Sequence, residues 1–459
     1  MKKKIALYMS GNYAKFLKFL PKYMPESDFI SYSQNYKAYK TIGNSKFFLK
    51  NFYLYKDFNL KYKNYSNSPV DDKINGFKVL ITDKSHFKRL SAAKQEKILN
   101  TMYSIFVEWI NDIKPDFIFI PIIESIDAML IYQICKSKKI EPVCYCHARH
   151  INTSFFSDSD LETLPKFYKK IQPLKEHEIR AKKIALLLKN NDDKLNYNQQ
   201  FEYIFNSFKK KNQITSFTRV NVFSRLLLNL RLKIFNERRN ETLRLWIKFQ
   251  VFIERFLVPI QRLFYTILEY LYLKPIKSLP NEFDYFPLHF SPESSINTPA
   301  PFYIDQLRVV DRILINRKNT NRTLIVKEHP SMYFKRKLSF YKELKKKPYV
   351  RLITKTFDSL ELIKKSEKVY SVTGTACMEA FYLGKKWEML GKNFLPVYLK
   401  QNPESSIYNF TLDTLKVSGD FILLSPPNKN NIKFKVLFSE QNFINMSKYF
   451  NFYIENINS

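Results

Sequence analysis

The stretch Asp116–Pro121, Asp-Phe-Ile-Phe-Ile-Pro, constrains the fold most. Four apolar residues in a row, bounded by a carboxylate and a proline, suit a strand buried on both faces. A helical pattern over Ser91 to Ile113 precedes it and stops at Pro115; another runs from Ser125 to Lys136. Glu141 to Cys146 is the next apolar run. Strand, helix and strand within about 30 residues form a βαβ unit, which demands a parallel sheet covered by helices. The chain opens in the same style. Lys4 to Met9 reads as a strand, Ser10-Gly11-Asn12 as a turn, and Tyr13 to Leu20 as a helix. Residues 1–160 therefore read as one Rossmann-like domain, although 31–70, rich in Tyr, Lys and Asn, resist assignment.

The strand signal then fades and later returns. Residues 165–275 hold 23 Lys and Arg against nine Asp and Glu, a net +14. Apolar residues from Trp246 through Phe249, Ile253, Phe256 and Ile260 to Tyr270 follow a helical spacing of three and four. From about residue 283 the α/β pattern resumes. Phe286 to Phe290, Thr323 to Lys327, Val350 to Ile353 and Lys368 to Val372 read as strands. Helices are expected over Asp305 to Leu314, Phe357 to Lys365 and from Thr375 to Leu383, with Gly384 at the C′ position. The predicted fold class is α/β, with two Rossmann-like domains at 1–160 and 281–425. A basic helical insertion at 161–280 separates them, and a helical tail occupies 426–459.

Composition excludes several classes. Of 459 residues, 45% are hydrophobic and 16% aromatic, which excludes a disordered, collagen-like or disulfide-stapled chain. Basic residues number 76 and acidic ones 42, giving +34. Such an excess favours an anionic partner, with AT-rich codon bias as the plain alternative. Cys144, Cys146, His147 and His150 invite a metal reading, but two cysteines one residue apart in a strand do not make a zinc knuckle. The chain reads as reduced and cytoplasmic, with no signal peptide and no apolar stretch of about 18 residues. Two readings stay open for the insertion: helices packed on the core, or a basic amphipathic surface on an anionic membrane, placing the protein on the inner face of the cytoplasmic membrane.

Chemistry concentrates at strand ends. Thr373-Gly374-Thr375 joins a strand to a helix, where unpaired backbone N–H groups suit a phosphate. Glu379 lies one turn further on and could accept from ribose hydroxyls; an exposed helical glutamate is the alternative. Lys327 closes a strand that leads into His329 and Pro330, where α/β sheets bind ligands. Glu293 follows the strand containing His289 and is a candidate base or nucleophile, or a plain turn residue. In the first domain Glu124, Asp127 and Arg149 follow strands and are expected to face the cleft; Asp127 equally suits a helix's first turn.

Three blocks resemble the bacterial capsule polysaccharide biosynthesis family, which includes 3-deoxy-manno-octulosonic acid (Kdo) transferases. They are HFSPESSINTPAPFYIDQLRVV, VKEHP, and the run LITKTFDSLELIKKSEKVYSVTGTACMEAFYLGKK. The run PIIESIDAMLIYQICKSKKIEPVCYCHARHINTSFFSDSD also resembles the end of that family's first domain, so the resemblance covers roughly 100–160 and 283–395 and omits 165–275 and the tail after about 420. The family typically shows Lys-Pro-His-Pro, where this chain has Lys-Glu328-His329-Pro330, and Thr-Gly-Thr/Ser-x-x-x-Glu-Ala, here beginning at Thr373. Trp387 also interrupts an otherwise aliphatic strand. The resemblance implies a GT-B-like glycosyltransferase with the donor nucleotide in the second domain. By that analogy His329, Thr373, Thr375 and Glu379 are donor-binding and Glu293 is the catalytic carboxylate; from their places at strand ends and turns, Lys327, Pro330 and Gly374 join the donor site, and Glu124 and Asp127 are first-domain catalytic candidates.

The expected function is transfer of a sugar, with a Kdo-like residue from a CMP donor among the candidates, to a glycan or lipid-linked acceptor of a surface polysaccharide. The nucleotide sugar is substrate; no cofactor and no metal is expected. Rival readings are a nucleotide-sugar epimerase or polyol-phosphate transferase on the same fold, and a non-catalytic basic protein on membrane or nucleic acid. Aromatics and lysines interleave over 30–65, yet no nucleic-acid module is recognised and no nucleic-acid partner is expected.

Overall fold

A computed structural model describes residues 2–10, 13–43, 45–53, 69–82, 90–148, 153–189, 278–291, 294–317, 321–329, 332, 336–353, 357–423 and 436–457. Arg149, His150, Glu293, Pro330 and residues 190–277 of the insertion, with its amphipathic stripe, lie outside the described residues.

The first domain runs β1 (Lys3–Met9), α1 (Tyr13–Leu17), β2 (Ser27–Ser33), α2 (Tyr36–Ile42), β3 (Lys50–Tyr53), α3 (Gly76–Thr82), α4 (Ala92–Ile113), β4 (Phe117–Ile120), α5 (Ile126–Lys138), β5 (Glu141–Ala148) and β6 (Thr153–Ser157). The helix α6 (Lys175–Lys189) follows. The second runs β7 (Phe283–Pro287), α7 (Ser294–Asn297), α8 (Gln306–Asn316), β8 (Thr323–Lys327), α9 (Leu338–Lys346), β9 (Val350–Ile353), α10 (Ser359–Lys365), β10 (Lys368–Ser371), α11 (Thr375–Tyr382) and β11 (Lys386–Met389). Then come α12 (Phe394–Gln401), α13 (Ile407–Lys416) and α14 (Glu440–Ile457).

The first sheet has six strands ordered β3-β2-β1-β4-β5-β6, parallel except for the β5–β6 pair. The second has five parallel strands ordered β11-β10-β7-β8-β9. Each order starts at an inner strand, grows outward, and then returns past the start. The fold is thus mixed α/β with two Rossmann-like sheets. Each sheet has a switch point, between β1 and β4 in the first and between β7 and β10 in the second. A crevice opens outside the carboxyl ends of the strands at such points.

Asp116–Pro121 behaves as its pattern demands. All four residues of β4 are buried and pair with β1 and β5. Gly384 holds a φ of 64°, and Lys385 N–H reaches the Ala380 carbonyl at 2.9 Å, closing α11 in a left-handed cap. The predicted helix from Tyr13 is shorter: α1 ends at Leu17, and a 3₁₀ turn at Leu20–Tyr23 carries Pro21 near its start. The predicted strand Phe286 to Phe290 is also displaced. β7 starts three residues earlier and ends at Pro287, because Gln306 takes over from the sheet. Its side chain accepts from His289 N–H at 2.8 Å and donates to His289 O at 3.1 Å. Residues 31–70, unassigned from sequence, contain the end of β2, α2 and β3 among their described residues.

The tail closes the molecule. In α14, Phe450 meets Phe119 and Phe156 at ring separations of 5.5 and 5.1 Å, and Phe443 stacks on Phe16 at 4.6 Å. Tyr449 Oη accepts from Phe156 N–H at 3.3 Å and donates to the Val417 carbonyl. Gly419 exchanges backbone hydrogen bonds with Ser154 of β6, at 2.7 and 3.1 Å. The chain after the second sheet therefore packs upon the first domain. The domains also meet directly: Thr298 Oγ1 donates to the Ile123 carbonyl at 3.1 Å, and α7 packs on α3.

Candidate functional site

The turns after β7, β8 and β10 converge at the carboxyl edge of the second sheet. Gly374 is the N-cap of α11, in extended conformation with no side chain to cap the helix. The first-turn N–H groups of a helix have no intrahelical acceptor, so such a start suits an anion. Ser371 shapes the approach, its Oγ accepting from Gly374 N–H at 2.9 Å. Asn393 Nδ2 donates to the Thr373 carbonyl at 3.1 Å. Thr373 is buried, whereas Gly374 and Thr375 are half-buried.

His289 sits in the middle of this edge, at the β7–β10 switch point. Its Nε2 accepts from Val372 N–H at 3.0 Å and lies 3.3 Å from Ser371 Oγ. The hydrogen bond from a backbone N–H assigns the ring proton to Nδ1. Burial, with His329 and Arg336 nearby, pushes the imidazole down to about 3, so it is neutral at physiological pH. A Cβ on Gly374 would stand 2.7 Å from His289 Cε1. The sequence reading treated His289 as part of a strand and missed it. The signal was available: a polar residue between Leu288 and Phe290, just past an apolar run.

Lys327, the last residue of β8, is buried. Its Nζ donates to the Phe357 carbonyl at 2.6 Å and Ser359 Oγ at 2.7 Å. Burial pushes the amine down to about 8, although Asp358 and Glu379 pull it up. Glu379 is half-buried on α11. Burial pushes its carboxyl up to about 7, a hydrogen bond from Thr375 works against this, and Asp358 raises it further. Lys327, Thr375 and Glu379 thus form one electrostatic group.

His329 follows β8, its ring 5.9 Å from that of Phe290. Next to it Glu328 is buried and accepts from His329 N–H at 2.7 Å, from Arg336 Nε at 2.8 Å and from Tyr341 Oη at 2.7 Å. Of the donor residues expected from sequence, the described ones all lie on this edge.

The first-domain residues separate. Glu124 is half-buried at the first sheet's switch point, next to Ile123, whose carbonyl receives the Thr298 hydroxyl. Burial first, and Glu124 as a secondary cause, raise Tyr8 and Tyr13 above the usual phenol range. Asp127 is buried inside its own domain, accepting from Tyr32 Oη at 3.0 Å and from Ser125. Burial raises this carboxyl, and those hydrogen bonds oppose the rise. Cys144 and Cys146 are buried thiols raised well above the usual range by burial. Among the described residues no group of three or more His, Cys, Asp or Glu could hold a metal ion.

Comparison with known proteins adds a match to one family model over part of the chain. Residues 294–398 match the model described as capsule polysaccharide biosynthesis protein, the family read from the sequence blocks. No curated protein matches the chain significantly. Among solved structures, the chain is similar to the KpsC beta Kdo 2,7 transferase of Thermosulfurimonas dismutans at 10% identity. That alignment covers 79% of this chain and 99% of the other, with a TM-score of 0.32. It is also similar to the UDP-GlcNAc 2-epimerase of Methanocaldococcus jannaschii in complex with UDP-GlcNAc and UDP. There the identity is 12%, the coverage 98% and 100%, and the TM-score 0.27. At these scores the likenesses carry no argument, and the fold rests on the strand orders themselves.

Proposed function

We propose that this chain, whose residues 294–398 match the model of capsule polysaccharide biosynthesis proteins, is a glycosyltransferase of surface polysaccharide synthesis. A nucleotide-sugar donor binds the second sheet and a glycan or lipid-linked acceptor enters from the first domain. The observation that carries the reading is the gathering, at the carboxyl edge of the second sheet, of an uncapped helix start, His329 after β8 and the Lys327–Glu379 group.

Transfer breaks the bond from the anomeric carbon to the leaving phosphate and forms one to an acceptor oxygen. The electron pair leaves with the phosphate, where the helix start and His329 stabilise the charge. The acceptor proton passes to a carboxylate. If that carboxylate is a base, the configuration inverts; if it first attacks as nucleophile, the configuration is retained. Glu293 is our first candidate and Glu124, beside the domain junction, the second. In this reading Glu379 accepts from ribose hydroxyls.

A thermal-shift and calorimetric screen of CMP, UDP and their sugar conjugates tests the donor site, because a bound nucleotide raises the melting temperature by mass action. Thr375→Asp puts a carboxylate where the phosphate would sit and should abolish binding with the fold intact. Unchanged affinity removes α11 from the site. Glu293→Gln should keep nucleotide binding and cut turnover about a hundredfold or more. Normal turnover there, with Glu124→Gln inactive, moves the catalytic carboxylate to the first domain. A glycoside product supports transfer; an isomerised nucleotide sugar or a phosphodiester supports the rival chemistries.

A further inference from the structure

Glu328 occupies the place where the resembled family typically has proline, and at 2% exposure it is one of the most buried charged side chains among the described residues. A proline fixes a turn by locking its own φ and restricting its neighbour. A buried carboxylate can fix a turn only if its partners hold it, since an unpaired charge is not tolerated there. Both oxygens of Glu328 are committed. Oε1 accepts from the backbone N–H of His329 at 2.7 Å; Oε2 accepts from Arg336 at 2.8 Å and from Tyr341 at 2.7 Å.

Arg336 extends the connection. It is buried, and while Nε faces Glu328 its Nη2 donates to the His289 carbonyl. The His289 ring receives Val372 N–H at 3.0 Å and stands beside Ser371, which holds Gly374 N–H at 2.9 Å. Gln306 grips the same histidine backbone from the other side. An unbroken polar path therefore runs from the His329 turn through Glu328, Arg336, His289 and Ser371 to the Gly374 turn. The two ends are the two segments that the donor reading assigns to one phosphate.

We propose that Glu328 and Arg336 are positioning residues, an ionic clasp that sets the distance between the His329 turn and the Gly374 turn so that one anionic group meets both. This assignment rests on the reading of that edge as the donor site. The pair neutralises itself, so its part is placement and not attraction. A planar guanidinium can face a carboxylate and a carbonyl at once, whereas a lysine ammonium is a single point.

The chain has six histidines and seven glycines, so imidazole and glycine-amide NMR signals can be assigned. In Glu328→Gln and in Arg336→Lys, the His329 ring and the Gly374 amide should shift together. Each variant should bind CMP or UDP, whichever the unaltered protein binds, about tenfold more weakly or worse. The double variant should lose no more than the weaker single one, because both break the same path. A structural role alone would lower the melting temperature and leave these two readouts unmoved in folded protein. A folded single variant with an unmoved Gly374 amide, or with unchanged nucleotide affinity, overturns the proposal. Should neither variant fold, Tyr341→Phe removes one hydrogen bond and keeps the ion pair. It should then shift both turns in the same direction by less, and no shift at either overturns the clasp. If the unaltered protein binds neither nucleotide, the donor reading fails, while the paired movement of the two turns still decides the clasp.

Discussion

Gly374 has a φ of −76°, which any residue can adopt, so its missing side chain is a matter of room. An added methyl would meet His289 Cε1 at 2.7 Å and Ser371 Oγ at 2.9 Å, and both groups are already fixed by hydrogen bonds. Overpacking of this kind costs about 1–3 kcal/mol. Gly374→Ala should therefore lower stability by that order, measured by denaturant melts, and abolish nucleotide binding because the Gly374 turn moves. The Lys327–Glu379 group makes a pH prediction. Below about 7 Glu379 is protonated and cannot accept from two ribose hydroxyls; above about 8 Lys327 loses its charge. Nucleotide affinity should peak between these values and fall on either side, and the two limbs belong to the pair. Titration calorimetry from about pH 6 to about pH 9 checks this, and a flat profile removes the pair from the site. The places of Thr373 and Gly374 at a strand-to-helix turn and of Lys327 at a strand end were legible, because such punctuation is local. His289 and Arg336 were not. Their roles depend on Val372 and Glu328, which the fold alone brings to them.

The elements were legible where burial is uniform. β4 is buried throughout and β10 is buried from Val369 on, and both read as strands. β2 did not, for a physical reason. Ser31 and Ser33 are fully buried, which breaks the expected alternation, and the fold tolerates them because both hydroxyls donate to Asn51 Oδ1 of β3 at 2.8 and 3.0 Å. Only a partner about 20 residues away explains the pattern. The α14 helix shows the same limit at longer range. The tail was read as helical, but its seat on Phe119 and Phe156 was not legible. Phe450 is fully buried there, so Phe450→Ala should cost about 3–5 kcal/mol. Chemical denaturation should show that loss as a single transition, with the first domain destabilised even though the altered residue lies in the tail.

At the scale of the whole molecule, charge is the unspent observation. A net +34 on 459 residues attracts anions, and the insertion contributes strongly to it. No helix among the described residues is long and apolar enough to cross a membrane. A lipid-linked acceptor would nevertheless bring the enzyme to a surface, where each Lys or Arg near anionic lipid gains about 1 kcal/mol. We propose peripheral binding of this kind. The protein should sediment with vesicles containing phosphatidylglycerol and be released by high salt; equal binding to neutral vesicles, or none to either, returns the insertion to core packing. The seat of α14 has a consequence for synthesis as well. The ribosome delivers β1 through β6 long before residues 440–457, which cover Phe119, Phe156 and Phe16. Until then the nascent first domain presents an uncovered aromatic surface, the kind of exposure that chaperones bind. Burial of that surface must wait for α14 to leave the exit tunnel.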